Sequence, residues 1–578
     1  MPPSPSGRSR RPVTLAGAVS LALVALAVTW GLWRARAVAW LSDDGFISFR
    51  YAEHLVAGHG LVYNVGERVE GYTNLLWTLL LAGAMALGVA PEVSAKALGI
   101  AAWLTLVLVL VVRSWRRAGG SRPFLPLAGA LVLLMEDYQT WATGGLETSL
   151  FTLLAAGGLL LATRADARVR DLALAGLLLA AAVATRPDGV IFAAIAVAGT
   201  GWAQVGAVPR QRVVLLGAIV IPLALAGAAL VAWKLAYYDD LFPTAFYSKS
   251  ALDPYHGQGW YYVGLFLLKN WFIVPLALLL FVGALRARGA VALLVRRHVL
   301  LLLASGLFLL YVAHSGGDFM FARRVLPAMP LLFVVLEDWL VTLPGRFVPA
   351  AAVALAAAGL LVPYPVFTPP GERRHGIADE PSFYPPALME ARRVQALVAA
   401  EVFKGLPVRA AFEGGMCVFG YYSRLPYLVE MTGLTQYSLA KAPLMTRGHV
   451  GHEKVASDEW LAEHDIHFVF SQIPPPISQG GPLRVDEIAF GEALRARIVL
   501  YDDALMNRLR QDPRVAFTPI EVTLREAQRH IAAASPDEAR RIYAALERYY
   551  FRRAGPAKQA QADALRRQVE ARRAPGAR

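Results

Sequence analysis

The sequence predicts an α-helical, polytopic membrane protein of about eleven crossings, with an extracytoplasmic α/β domain at its C-terminal end. Three observations lead there. Of 578 residues, 56% are hydrophobic and only 17% charged, against about 25% charged in soluble domains. The apolar residues lie in long runs up to residue 366 and thin out beyond it. Between those runs, basic and acidic loops alternate, which sets the orientation of each crossing.

The elements follow in order. MPPSPSGRSRRP is basic and rich in Pro and Ser, and an apolar run of about 20 residues comes after it. AVA at 37–39 resembles a signal-peptide cleavage site. The run outlasts a usual signal core, however, so a retained first helix with a cytoplasmic N-terminus is expected. Further spans of roughly 17–25 residues are expected near 95–113, 147–164, 170–185, 189–205, 212–236, 261–285, 297–314, 324–342 and 346–366, with a shorter one at 122–136. The loops RSWRRAGGSR, RADARVR, VPRQR and RARGAVALLVRRH are basic and belong inside. MEDYQTWATGGLE, RPDG, YYDDLFPTAFYSKSALDPYHGQG and HSGGDFMFARR then face outward. Were 72–89 to cross, the basic loop at 113–122 would fall outside, so that segment is expected to be re-entrant or interfacial.

The expected organisation is a membrane domain at 1–366 with its first external loop at 34–94, a Pro-rich linker at 367–386, and a C-terminal domain at 387–578. In the last, VRAAFEGG, PYLVEMTG and IHFVFSQI read as strands ending in turns. SPDEARRIYAALERYY opens a helix, with Ser535 as N-cap, Pro536 in the first turn and Glu538 three residues on. No internal repeat is seen.

The formal charge is +14. On a soluble protein this would suggest nucleic acid, but here much of the Lys and Arg sits in short loops and sets topology, so the bilayer is the expected partner and nucleic acid is not. Arg552, Arg553, Arg566, Arg567, Arg572 and Arg573 read as a solvated helix face. The single cysteine, Cys417, excludes an intramolecular disulfide and a Cys-based zinc site.

Ionisable groups are expensive near hydrocarbon, roughly 2.5–3.5 kcal/mol for Asp or Arg at a helix centre. In this chain they collect on the outward side: Asp43, Asp44, Glu147, Arg186, Asp188, Asp239, Asp240, Lys249, Asp318, Arg323 and Arg324. Solvation in a loop explains any one of them. It fits the set less well, because RPDG and GGDFMFARR are short turns between apolar helices. The first loop adds Arg50, His59, Arg68 and Glu70. Two carboxylates side by side raise one another's proton affinity, which suits a general base; a pair that caps or orders the loop is the alternative for Asp43 and Asp44. Arg186, Lys249, Arg323 and Arg324 suit a phosphate leaving group, Arg through its bidentate fork. Together these point to transfer from a lipid-borne phosphosugar.

Other polar groups carry less. His449 and His452 have no evident third ligand and read as a surface loop, so no metal site is assigned. His59 and His314 either line the site or serve structure. Gly144 and Gly145 before Glu147 lack the strand and pattern of a nucleotide loop. Trp40, Trp77, Trp141, Trp260 and Tyr261 are expected as interfacial anchors.

The stretch DDGFISFRYAEHLVAGHGLVYNVGERVEGYTNLLW, the turn TRPDG, the run GGDFMFARRVLPAMPLL, and TGLTQ with GHEKVA resemble the GT-C superfamily of polytopic glycosyltransferases over nearly the whole chain. Within it they are most similar to the terminal β-(1→2)-arabinofuranosyltransferases of mycobacterial cell walls and their bacterial relatives. The resemblance implies a GT-C fold in the cytoplasmic (inner) membrane and inverting, single-displacement transfer on its outer side. It implies a polyprenyl-phosphate sugar donor, a glycan, glycolipid or protein acceptor of the cell envelope, and an acidic base in the first external loop, here Asp43 or Asp44. Where the family has an acid after GLT, this chain has Gln436. No cofactor is expected. A metal-dependent oligosaccharyl transferase of the same superfamily is a close variant, which leaves a divalent metal open. A membrane transporter or lipid flippase is the competing class; repeat symmetry and broken midplane helices would mark it. A non-enzymatic envelope scaffold would leave the aspartate pair without a task.

Overall fold

The computed structural model describes residues 15–118, 125–205, 208–251, 253–286, 290–343, 347–369, 371–471, 487–552 and 555–571. The N-terminal MPPSPSGRSRRP, Arg553, Arg572, Arg573 and parts of the basic loops at 113–122 and 286–298 lie outside the described residues. The contacts divide the chain discontinuously. One unit holds residues 1–42, 73–241 and 251–384; the other holds 43–72, 242–250 and 385–578. Residues 43–72, about half of the first external loop expected with the membrane part, therefore group with the C-terminal part.

The first unit is helical. Among the described residues, three helices are long and apolar enough to cross a membrane, Ala18–Ala37, Pro91–Arg117 and Pro209–Tyr238, or up to five if two bent pairs each count as one span. Pro91–Arg117 shows why such a segment forms: Pro91 opens it, Glu92 lies in its first turn, and Arg116 and Arg117 lie in its last, each sign matching the helix dipole. Pro209–Tyr238 stops at Asp239, whose φ of 55° is the left-handed cap that Asp tolerates. Leu75–Ala86 has 12 residues; at a rise of 1.5 Å per residue it spans roughly 18 Å, short of the ~30 Å hydrocarbon core.

Two expected spans are broken. The segment 261–285 is two helices, His256–Lys269 and Ile273–Arg286, bent by 79°. The break is pinned by Asp137, which accepts from Lys269 Nζ at 2.7 Å and from Asn270 Nδ2 at 2.9 Å. The short span at 122–136 is an eight-residue helix, Leu127–Leu134. MEDYQTWATGGLE, expected as a loop, is largely the helix Glu136–Thr143, which turns by 116° into Thr148–Ala162. The corner uses Gly145 at φ +78°, and a side chain at Gly144 would press on the Trp40 ring.

Trp40, Trp77 and Trp141 are buried rather than interfacial. Their indole N–H groups donate to the carbonyls of Thr140, Gly145 and Phe321 at 2.9, 3.2 and 3.0 Å, so each is a satisfied core residue near the same corner. Trp260 is exposed and Tyr261 half-buried. Residues 367–386, expected as a linker, contain a two-stranded antiparallel ribbon, Arg373–Arg374 with Ile377–Ala378. Phe321 N–H donates to Ala378 O at 3.0 Å and Ala378 N–H to Phe319 O at 2.8 Å, which ties the ribbon to this unit.

The second unit is built on a six-stranded mixed sheet, in the order Tyr427–Glu430, Arg409–Phe412, Phe468–Phe470, Leu494–Ile498, Glu487–Phe490, Val515–Phe517. The first three are the expected strands, paired in parallel; the last three are antiparallel additions. Phe403, Phe468, Phe470 and Phe490 pack on one face, and Ala411, Val429 and Val469 enter a second cluster with Leu461 and Ile466. Ser535 caps the helix Pro536–Leu546 by accepting from Glu538 N–H at 3.3 Å. Arg552, Arg566 and Arg567 are exposed.

The first loop joins this unit through polar pairing. Asn64 donates to Leu428 O and accepts from Leu428 N–H, both at 2.9 Å, as a neighbouring strand would. Arg50, buried in the helix Gly45–Val56, donates to the carbonyls of Tyr63, Gly420 and Leu425 at 2.8, 2.6 and 2.8 Å. Part of this polar stretch is therefore the mortar of a folded unit.

Candidate active site

The second unit separates the two aspartates. Asp43 is fully buried. Its Oδ2 accepts from Cys417 N–H at 2.8 Å and its Oδ1 from Val418 N–H at 3.1 Å. Burial is the main cause that pushes its carboxyl above the ordinary range, while those amides pull it down. The expectation that its twin raises it is corrected to this cause. Asp44 is half-buried and stands as N-cap of Gly45–Val56 without capping that helix through its side chain. Asp43 thus ties the segment to the Cys417 and Val418 amides.

Among the described residues, Asp43, Asp44 and Cys417 each bring one ligand-type atom within 4.8 Å of the others. Both Asp43 oxygens accept amide N–H groups, and burial pushes the Cys417 thiol well up.

Glu430 also belongs to this unit and was missed from the sequence, although an acid ending the apolar run YLVE was a signal. It is buried and accepts from Thr432 N–H at 3.0 Å, Thr432 Oγ1 at 2.7 Å and Leu434 N–H at 3.1 Å. Burial pushes its carboxyl up to about 7, with a smaller push from Asp44. Gln436, where the resemblance led to an acid being expected, donates to Glu67 Oε2 at 2.9 Å and to Tyr427 Oη at 2.8 Å.

In the first unit the structure brings four of the expected residues together. Glu147 Oε1 accepts from Arg323 Nη2 at 2.8 Å and from Arg186 Nη1 at 3.4 Å. Asp188 takes the other edge of Arg186 in a fork, at 3.1 Å from Nε and 2.7 Å from Nη2. Asn74, not foreseen, donates to Glu147 Oε2 at 3.0 Å and accepts from Thr78 Oγ1 at 3.1 Å. The bend between Glu136–Thr143 and Thr148–Ala162 delivers Glu147, the TRPDG turn delivers Arg186 and Asp188, and GGDFMFARR delivers Arg323. Two guanidinium groups and two carboxylates so form one buried network.

The remaining candidates lie elsewhere. Arg324 donates to Ser315 Oγ and Gly317 O, both at 2.8 Å, over the Tyr311 ring. Asp318 is buried and accepts from Phe319 N–H at 2.9 Å. His314 faces the His256 ring at 5.1 Å. Lys249 is half-buried after the helix Thr244–Ser248, in the second unit. There too, Arg50 is wholly committed to carbonyls, Glu70 is buried with its carbonyl accepting from Thr244 N–H at 2.9 Å, and His59 and Arg68 are exposed. His449 and His452 lie in a turn with rings 4.5 Å apart.

No family model matches the chain. It is 31% identical over 350 residues to the terminal β-(1→2)-arabinofuranosyltransferase of Mycobacterium tuberculosis, covering 53% of each chain. It is 30% identical over 346 residues to that of Corynebacterium glutamicum, covering 53% of this chain and 48% of the other. The chain spans about half the length of the curated relatives it matches, where the motifs suggested nearly the whole. Among solved structures, ArnT from Cupriavidus metallidurans in the apo state matches with a TM-score of 0.45 at 13% identity, covering 72% of this chain and 86% of that one. The apo Archaeoglobus fulgidus oligosaccharyltransferase matches with a TM-score of 0.46 at 12% identity, covering 78% and 69%. By sequence, over about half its length, the chain is similar to the terminal β-(1→2)-arabinofuranosyltransferases.

Proposed function

We propose that the chain is an inverting membrane glycosyltransferase that moves a sugar, arabinofuranose by analogy with its relatives, from a polyprenyl-phosphate donor to an envelope glycan, glycolipid or protein. The similarity to two arabinofuranosyltransferases carries this reading. The acceptor hydroxyl attacks the anomeric carbon as the bond from that carbon to the phosphate oxygen breaks, and polyprenyl phosphate leaves with the electron pair. Asp44 takes the hydroxyl proton, held in place by the neighbouring Asp43 and its two amide bonds. Arg186 and Arg323 offset the charge that develops on the phosphate. The proposed setting is the cytoplasmic membrane, with about eleven crossings once the shorter and bent helices are counted, and with the C-terminal domain outside the cell. A membrane transporter or lipid flippase is the alternative that this similarity does not favour.

The test is consumption of a panel of polyprenyl-phosphate sugars by the purified protein, with and without a chelator. Turnover of one donor by the wild type, and its loss by on the order of 10²–10⁴ in Asp44→Asn, is the expected result. Near-normal turnover in that variant would remove Asp44 as the base and pass the role to Glu147 or Asp318. Loss of turnover in chelator would favour the metal-dependent variant.

A further inference from the structure

The Glu147 network has a charge balance that matters for any phosphate entering it. Arg186 and Arg323 contribute two positive charges, Glu147 and Asp188 two negative ones. The side chains of Glu147 and Asp188 are 1% and 5% exposed and those of both arginines 11%. An incoming phosphate would add negative charge to a neutral, desolvated cluster, where repulsion is strong. The two carboxylates are not held alike. Asp188 grips Arg186 through a fork, whereas Glu147 Oε1 makes one contact to each arginine, at 2.8 and 3.4 Å. Its other oxygen is held separately by Asn74, itself set by Thr78. Arg323 Nη1 also contacts the Met320 thioether at 3.2 Å, a weak acceptor.

We propose that the Glu147 carboxylate is a built-in surrogate for a phosphate oxygen: it occupies the anion position between Arg186 and Arg323 at rest and yields it when a lipid-borne phosphate binds. This rests on the reading of those arginines as the donor-phosphate holders. Asn74 keeps hold of Oε2 while Oε1 is released, so the side chain swings aside without losing every partner. Its return competes with the phosphate monoester left after transfer, which favours product release.

The test measures binding of undecaprenyl phosphate in detergent micelles, and separately of inorganic phosphate, to the full-length wild type and to Glu147→Gln. Gln keeps the shape and the Asn74 contact but removes the competing charge. At least tenfold tighter binding of undecaprenyl phosphate in Glu147→Gln is expected, with losses in Arg186→Ala and Arg323→Ala. Glu147→Asp, which keeps the charge on a shorter arm, should fall between, and serves if the Gln variant does not fold. Unchanged or weaker binding in Glu147→Gln and Glu147→Asp, with the arginine losses intact, would overturn the surrogate and leave the donor site standing. Wild-type binding indifferent to both arginine substitutions would overturn the donor site itself, and the surrogate with it. A gain for inorganic phosphate alone would overturn the lipid as the source.

Discussion

Asp43→Asn tests the division of labour between the two aspartates. Asp43 accepts one amide N–H on each oxygen, at 2.8 and 3.1 Å, inside a fully buried site. Asn can replace one oxygen; its amino group must then face the second N–H, donor against donor. A hydrogen bond to a charged group contributes roughly 1.5–3 kcal/mol, and a buried donor left without an acceptor costs about 1–3 kcal/mol more. Against this, burial disfavours the carboxylate, so removing the charge returns part of the loss. A net destabilisation of about 2 kcal/mol remains, which is about 30-fold in an opening equilibrium. Cys417 is the chain's single cysteine, is buried, and carries one of the two amides, so its labelling by a thiol-reactive dye in detergent reads that opening. Asp43→Asn should label about 30-fold faster than wild type, whereas Asp44→Asn should label at the wild-type rate. Wild-type labelling in Asp43→Asn, or faster labelling in Asp44→Asn, would refute the assignment of Asp43 to structure and Asp44 to chemistry.

Glu430 should leave a signature in pH. Its carboxyl is ordinarily near 4.5 and lies at about 7 in the fold, so the folded state binds the proton more tightly and stability falls as pH rises between those values; thermal unfolding in detergent should show this slope, flattened in Glu430→Gln, and an unchanged slope in the variant would refute it. Gly259 lies so close to the Ala313 carbonyl that a methyl group has no room, while Gly264 on the same helix has open space. Gly259→Ala should lower stability by about 1–3 kcal/mol or more and Gly264→Ala should not; equal melting temperatures for the two would sink the close-approach argument. For topology, in a Cys417→Ser background, a cysteine placed at 375–400 should label on intact cells and one at 164–170 only after permeabilisation, and the reverse pattern would overturn the proposed orientation.

Hydrophobic run length and loop charge, both local quantities, were enough to place most helices. The expected spans at 95–113, 170–185 and 212–236 appear as Pro91–Arg117, Val169–Thr185 and Pro209–Tyr238. Short apolar runs between turn residues likewise marked the three parallel strands. The sequence also picked out Glu147, Arg186, Asp188 and Arg323, because charge beside hydrocarbon is costly wherever it occurs. What it could not contain was pairing at long range. That Glu147 stands between two arginines depends on a 116° bend at Gly144–Gly145, and Asn74 carried no signal until that bend set Glu147 beside it. Asp43 and Asp44 are equivalent as letters. They differ only because two amides 374 and 375 residues downstream are satisfied by one of them, and a buried N–H must be satisfied by whatever the fold brings to it.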